Sequence, residues 1–139
     1  MKIINYALCF IENQEGKFLL QLRDNKPNIL FPGHWGLFGG RLEGRENYEQ
    51  GLLREVEEEI GLILNKNSLK FMFDNSFLNR VGKVFHVKLN LDLDKIKKDQ
   101  TEGQDAVLFT KEELINLKEP AIPEIRMFQE ILKKELISL

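Results

Sequence analysis

The sequence predicts an α+β fold in which helices cover a mixed β-sheet. Two observations lead to this class. First, segments of β-compatible residues and amphipathic segments follow one another in the order strands, helix, strands, helix. Second, 139 residues suffice for one hydrophobic core without disulfides or a structural metal. The chain shows no internal repeat, low-complexity tract or linker, so we expect residues 1–139 to form a single domain.

The first two strands are predicted at residues 3–11 and 17–23. Both are rich in apolar and β-compatible residues, and the polar residues 12–16 between them have the composition of a hairpin loop. A polar loop that contains prolines follows over residues 24–34. It leads into residues 35–40, where three glycines suggest a backbone that closely approaches another group.

A helix is predicted after Asn47, whose side chain is a good N-cap, and Gly61 is expected to end it. Its apolar stripe consists of Leu52, Leu53, Val56 and Ile60. Gly51 lies inside this helix and costs about 1 kcal/mol relative to alanine. We therefore expect Gly51 to pack closely on a neighbouring strand.

The second half of the chain predicts a further hairpin, one strand and a final helix. Residues 71–77 and 81–91 form the hairpin, and residues 106–109 the last strand. Residues 111–116 read as a short helical turn, and Pro123 opens a helix that extends to about Ser138. The inner face of this helix is formed by Ile125, Phe128, Ile131, Leu132 and Leu136.

The charge of the chain bears on which classes of molecule it binds. The net charge is −2 and 30% of the residues are charged, which lacks the basic excess of a nucleic-acid binder. We therefore expect no polymer nucleic acid as partner. The local cluster of Lys95, Lys97 and Lys98 alternates with aspartates and reads as a solvated loop.

The single cysteine and the apolar runs predict a reduced, cytoplasmic protein. Cys9 has no intrachain partner and lies in an apolar stretch, so we expect a core residue. Residues 3–11 read as a strand rather than a signal peptide, because Asn5 interrupts them and no small-residue cleavage site follows. No apolar run approaches the roughly 20 residues that span a bilayer, so we expect no membrane partner.

Three carboxylates on the first helix carry the chemical information. Glu55, Glu58 and Glu59 have the offsets zero, three and four, which bring their side chains together on one side of a helix. Their mutual repulsion calls for a cation or open water. Magnesium binds oxygen ligands of this kind and bridges them to substrate phosphates. The alternative is an ordinary solvated acidic helix face.

The surrounding residues resemble a known motif. Gly40 is followed after five residues by Glu46 and, after seven more, by Arg54-Glu55, an aliphatic residue, any residue, Glu58-Glu59, any residue, Gly61 and an aliphatic residue. This 23-residue pattern resembles the Nudix box at every defining position. The resemblance implies an α/β/α sandwich, with Mg²⁺ or Mn²⁺ held against a diphosphate.

Site residues follow from the same resemblance, position by position. Glu55, Glu58 and Glu59 are the expected metal ligands, together with the carbonyl of Gly40. Glu58 or Glu59 also takes the proton from the attacking water. Among the other expected catalytic residues, Arg54 orients the glutamates, Glu46 pairs with Arg54, and Glu102 is an additional general base or metal ligand from the loop before the last strand. An exposed acid without a role is the alternative for Glu102.

Two interpretations remain for each of several residues near the box. Arg23 contacts a substrate phosphate or forms a surface ion pair, and Glu43 fills a common family position or is a loop acid. Phe31, Trp35 and Phe38 stack on a base or pack in the core. His34 and His86 lack metal-ligand spacing.

The chain also departs from the family pattern in two places. The glycine at position 44 lies one residue earlier than in many relatives, and Phe38 replaces a frequent proline. The loop path is affected, but no metal-binding carboxylate is lost.

The resemblance implies a hydrolase that cleaves the diphosphate of a small-molecule nucleotide. A nucleoside triphosphate and a nucleoside diphosphate linked to another group are both compatible with the box, since selectivity lies on loops outside it. The alternative from another class is a noncatalytic Nudix domain that senses a nucleotide. The oligomeric state stays open between a monomer and a homodimer, since members of the family are often dimers and nothing in the sequence fixes an interface.

Overall fold

The computed structural model describes residues 2–137, which form a mixed sheet covered by helices. The strands are β1 (Ile4–Glu12), β2 (Phe18–Leu22), β3 (Trp35–Gly36), β4 (Phe38–Arg41), β5 (Lys70–Phe77), β6 (Arg80–Lys88) and β7 (Asp105–Phe109). The helices are α1 (Tyr48–Ile60), α2 (Leu93–Asp99), α3 (Lys111–Ile115) and α4 (Pro123–Ile137), with one 3₁₀ turn at Lys66–Ser68. The predicted order of elements is confirmed.

Strand β1 is the centre of the seven-stranded sheet. It runs parallel to β6 over its whole length and antiparallel to β2 only at Ile11 and Glu12. Along Tyr6–Cys9 the same edge of β1 pairs with β4 instead. Both predicted hairpins, β1 with β2 and β5 with β6, are confirmed as antiparallel pairs.

The divergence of β1 and β2 opens the place that the functional site occupies. Beyond Leu19, strand β2 pairs with β3, and the Nε2 of Gln21 donates to the carbonyl of Leu37 at 2.8 Å. The segment that carries β3 and β4 thus inserts between the two strands. Gly39 has a φ of +127°, and a Cβ there would lie 2.1 Å from the carbonyl oxygen of Ala7. Only glycine permits this approach to β1.

Alternating residues of β1 divide the core into two layers. Cys9 and its neighbours Ala7 and Ile11 pack with α1, through Leu52 and Val56 among others. Phe10 points to the other face, where Ile125 and Phe128 of α4 belong to the same cluster. The predicted α/β/α sandwich and the core position of Cys9 are confirmed.

Helix α1 has the predicted ends. Asn47 accepts from the N–H of Gln50 in a capping box, and Gly61 closes the helix in the left-handed conformation. The close packing of Gly51 is also present, but its partner is not a strand. A Cβ there would lie 3.0 Å from Cγ of Leu42 and 3.3 Å from Oε1 of Glu46, both in the loop after β4.

The prediction of a solvated loop around Lys95 is wrong, because this segment is helical. Residues 93–99 form α2, because Asp92 caps the helix and Ile96 is buried against the α1 layer. The three lysines of this segment remain exposed. Strand β6 ends at Lys88 rather than at the predicted residue 91, and the predicted helix end at Ser138 lies outside the described residues.

Within residues 2–137, no helix combines the length and the apolar character that crossing a membrane requires.

Candidate active site

A cavity of about 310 Å³ opens where the Gly39-Gly40 segment meets α1. Two groups of residues line it. We call Glu55, Glu59 and Glu102 the acidic site. We call the second group the aromatic site, and it consists of Tyr6, Phe31, Phe77, Arg80 and Glu124.

Glu59 is the most buried member of the acidic site, with 2% of its surface exposed. The backbone N–H of Gly39 donates to its Oε1 at 2.8 Å. The pKa of Glu59 is raised to about 8, chiefly by burial and also by the nearby carboxylates of Glu102 and Glu55, while the Gly39 N–H and the charge of Arg23 act in the opposite direction. A buried carboxylate of this kind gains much from a cation.

Glu55 lies directly against the second glycine of the Gly39-Gly40 pair. A Cβ on Gly40 would be 3.0 Å from Cδ of Glu55, so the missing side chain lets the carboxylate reach the backbone. Burial raises the pKa of Glu55, and the charges of Glu58 and Glu102 act in the same direction, whereas Arg54 opposes them. Glu55, Glu59 and the Gly40 backbone are therefore neighbours.

Arg54 ties the loop before α1 to the carboxylates of the helix. Its Nε and Nη2 donate to the two oxygens of Glu46 at 2.7 and 3.0 Å, and its Nη1 donates to Glu55 at 3.0 Å. The Nη2 also donates to the carbonyl of Arg41. The hydrogen bonds of Arg54 and of the Glu43 N–H lower the pKa of Glu46. Glu46 thus holds Arg54 in one orientation.

Glu58 is a position of the motif and Glu102 lies outside it, but the structure places only Glu102 at the cavity. Glu58 has 61% of its side chain exposed, accepts from Arg54 Nη1 at 3.2 Å, and does not line the cavity. Glu102 does line it, although it lies outside the motif. In the part of the chain that the structure describes, no three His, Cys, Asp or Glu side chains form a ready-made metal cluster.

The donor chemistry nevertheless fits Mg²⁺ or Mn²⁺. Both ions take oxygen ligands, and Mg²⁺ typically keeps several waters and binds through one or two carboxylates plus substrate phosphates. Glu55 and Glu59 supply such carboxylates beside the Gly40 backbone, and their pKa values are raised chiefly by burial and also by the neighbouring carboxylates, both of which a cation would offset. Rotation of Glu58 away from Arg54 would add a third carboxylate.

The structure distinguishes between the two interpretations given for residues near the motif, because some of these residues line the cavity and others pack in the core. Arg23 lines the cavity, and its Nε and Nη2 donate to the carbonyl of Leu30 at 3.1 and 2.8 Å. Burial lowers the pKa of Arg23, while Glu102 and Glu59 raise it. Phe31 lines the cavity as well. Phe38 is buried in the core, and Trp35 packs edge-on against Phe109.

Three further residues named in the sequence analysis contact other groups of the protein. Glu43 is exposed and lies 3.6 Å from Arg54. The Nε2 of His86 lies 2.8 Å from Glu12, and the Nδ1 of His34 lies 2.9 Å from the carbonyl of Pro32.

Apart from Phe31, the aromatic site consists of residues that the sequence did not indicate. Glu124, at the start of α4, has 4% of its surface exposed, and its Oε2 accepts from the hydroxyl of Tyr6 and the amide of Asn75, both at 2.8 Å. The guanidinium of Arg80 lies over the Tyr6 ring, 5.3 Å from its centroid. Tyr6 and Glu124 are 118 positions apart, so no local pattern joins them.

Comparison with known proteins identifies the family. The NUDIX domain model matches residues 3–130, and the chain therefore belongs to this family. An uncharacterized Nudix hydrolase of Listeria monocytogenes is 30% identical over 106 residues, which are 75% of this chain and 62% of that protein. The nucleoside triphosphatase NudI of Salmonella agona is 42% identical over 55 residues, which are 39% of this chain and 38% of that protein.

Solved structures agree with the fold. The crystal structure of a MutT protein from Methanosarcina mazei Go1 superposes with a TM-score of 0.73 at 22% identity, covering 96% of this chain and 95% of that one. The match to the curated relatives spans less than two thirds of their lengths, 62% and 38% in the two cases above.

Proposed function

We propose that the protein is a Mg²⁺- or Mn²⁺-dependent hydrolase that cleaves the diphosphate linkage of a nucleotide by water attack on phosphorus. The observation that carries this proposal is the convergence of Glu55, Glu59 and Glu102 on one cavity beside Gly40. A nucleoside triphosphate is the favoured substrate class, because the Salmonella relatives are named nucleoside triphosphatases.

The metal would be held by Glu55, Glu59 and the carbonyl of Gly40, with Glu58 joining after rotation. When bound, it supplies charge neutralisation at the diphosphate and acidifies a water molecule. The buried position of Glu59 beside the Gly39 N–H keeps its carboxylate in one place. Arg54, which is fixed by Glu46, restricts Glu55 in the same way.

Residues that line the cavity would transfer the proton and bind the phosphate. Glu59, buried at the cavity beside the Gly39 N–H, is the candidate general base. Glu102 is the second acid that faces the cavity and is the alternative base. Arg23 donates through its guanidinium fork and is placed to contact a substrate phosphate on leaving Leu30.

The test is a substrate panel with and without Mg²⁺. Nucleoside triphosphates, nucleoside diphosphate sugars and ADP-ribose are incubated with the protein. Inorganic pyrophosphatase converts pyrophosphate released from the triphosphates to phosphate, and alkaline phosphatase releases phosphate from the monophosphates formed from the other two substrates. We expect metal-dependent pyrophosphate release from nucleoside triphosphates. Tight nucleotide binding without turnover of any member of the panel would instead indicate a sensor domain.

A further inference from the structure

We propose that Glu124 determines base specificity by accepting a hydrogen bond from an amino group on the base of the substrate nucleotide. This inference rests on the proposed function, since it names the substrate that the same cavity selects. The candidate substrates are guanine, cytosine and adenine nucleotides, whose bases present such an amino group, as against hypoxanthine and uracil, which lack one.

The first support is the hydrogen bonding of the Glu124 carboxylate. Both donors from the protein, the Tyr6 hydroxyl and the Asn75 amide, bind Oε2. Within residues 2–137, no hydrogen bond is made to Oε1, and no buried side-chain oxygen or nitrogen lacks a partner. Because Glu124 lines the cavity, its Oε1 is therefore the oxygen that faces the open space.

The second support is the way in which this carboxylate is fixed. Tyr6 is on β1, Asn75 on β5 and Glu124 in the first turn of α4, where the helix dipole favours a negative charge. Burial and the nearby Glu124 raise the pKa of Tyr6, so the hydroxyl stays a donor. A Cβ on Gly82 would lie 2.2 Å from the Tyr6 ring, so this glycine makes room for the ring.

The third support is the apolar wall beside the carboxylate. Phe31 and Phe77 contact each other with ring centroids 5.9 Å apart, and both line the cavity. Aromatic faces of this kind bind the flat surface of a base. A base placed against them would present its edge to Glu124.

The fourth support is the distance to the acidic site. Leu8 of β1 lies opposite Gly39, whose N–H binds Glu59, and Tyr6 is two residues further along the same strand. Two residues of a strand span about 7 Å. A nucleotide with its phosphates at the acidic site would thus extend its base towards Glu124.

The chemistry of the acceptor selects the base. A carboxylate accepts but does not donate, so it favours edges that carry N–H groups. Guanine presents N1–H next to its N2 amino group, and cytosine and adenine present their N4 and N6 amino groups. Hypoxanthine lacks the amino group of guanine, and uracil carries a carbonyl where cytosine carries its amino group. GTP should therefore be preferred over ITP, and CTP over UTP.

The test compares the wild type with Glu124→Gln, whose amide has the same shape but no charge. Binding of GMP and IMP is measured by isothermal titration without metal, and kcat/KM is measured for GTP, ITP, CTP and UTP with Mg²⁺. We expect the wild type to prefer GTP over ITP and CTP over UTP by on the order of 10- to 100-fold, the value of a good base contact. In Glu124→Gln both ratios should fall to within about threefold.

The matched control is Glu130→Gln, a change of the same type at an exposed position of α4, where Glu130 pairs with Lys133. It should keep the wild-type ratios. Equal wild-type binding of GMP and IMP, or unchanged ratios in folded Glu124→Gln, would overturn the assignment of Glu124. An absence of turnover for every nucleotide, with a preference for GMP retained, would instead contradict the proposed hydrolysis and leave the base site in place.

Discussion

The acidic site and the aromatic site each contain a buried carboxylate, but the two carboxylates have opposite surroundings. Glu59 has one backbone donor and faces two further carboxylates, which raise its pKa. Glu124 has two neutral donors on one oxygen. The first arrangement is short of positive charge and suits an incoming cation. The second has a negative charge already placed, and suits an incoming hydrogen-bond donor.

The largest expected effect follows from removing the charge at the acidic site. Glu59→Gln keeps the size of the side chain but removes a metal ligand and the general base, so turnover should fall by about 100-fold or more. Glu57→Gln is the matched control, since Glu57 is exposed on the same helix. Steady-state kinetics with Mg²⁺ measure both variants. Near-normal turnover of Glu59→Gln would remove Glu59 from the site.

Glu58→Gln tests whether the exposed carboxylate joins the acidic site. Glu58 contacts Arg54 in the structure, and it contributes to metal binding only after it rotates. We expect turnover to fall by orders of magnitude with the fold intact, as for other groups that act in the transition state. Wild-type kcat with an unchanged Mg²⁺ requirement would show that Glu58 stays with Arg54.

Arg54→Lys should have the next largest effect. A lysine cannot reproduce the two parallel hydrogen bonds to Glu46 and the contact with Glu55. Loss of such an orienting group typically costs about 10- to 100-fold in activity or metal affinity. The Mg²⁺ dependence of kcat and the GTP to ITP ratio are measured together. The ratio should stay unchanged, because Arg54 does not reach the aromatic site.

The raised pKa of Glu59 predicts a pH dependence of stability in the metal-free protein. Its pKa is about 8 in the folded state and has an ordinary value of 4.5 when unfolded. The folded state therefore binds more protons between these values, and stability falls as the pH rises from about 4.5 to about 8. Urea unfolding with a chelator should show wild type losing more than about 1.4 kcal/mol relative to Glu59→Gln, the equivalent of one pKa unit.

The smallest expected effect comes from Tyr6→Phe at the aromatic site. The variant keeps the ring in the space beside Gly82 and removes one of two hydrogen bonds to Glu124. Stability should fall by about 1 kcal/mol. The GTP to ITP ratio should fall by a few-fold, because Asn75 still holds the carboxylate. A tenfold loss of kcat for both nucleotides alike would place Tyr6 in the chemistry instead.

The difference between the acidic site and the aromatic site also explains which features of each site could be predicted from the sequence. Apart from Glu102, the acidic site is built from one helix and its flanking glycines, so Asn47, Gly61 and the carboxylate spacing could be predicted from the local sequence. The rotamer of Glu58 was not, because it depends on Arg54, which Glu46 holds through a contact across the loop. Helix α2 was missed because its burial rests on the single residue Ile96.

Apart from Phe31, the residues of the aromatic site could not be predicted from the sequence, for a physical reason. Its contacts join β1, β5 and α4, and the parallel pairing of β1 with β6 is what brings these elements together. A tyrosine in a strand and a glutamate in the first turn of a helix are each ordinary when considered alone. The two residues meet only because of the order of the strands in the sheet.

Binding of Mn²⁺ without nucleotide, followed by electron paramagnetic resonance, tests the division between the two sites most directly. We expect saturable binding by the wild type, strongly weakened binding by Glu59→Gln, and unchanged binding by Glu124→Gln. Wild-type affinity in Glu59→Gln, or loss of Mn²⁺ binding in a folded Glu124→Gln, would contradict the assignment of the metal to the acidic site.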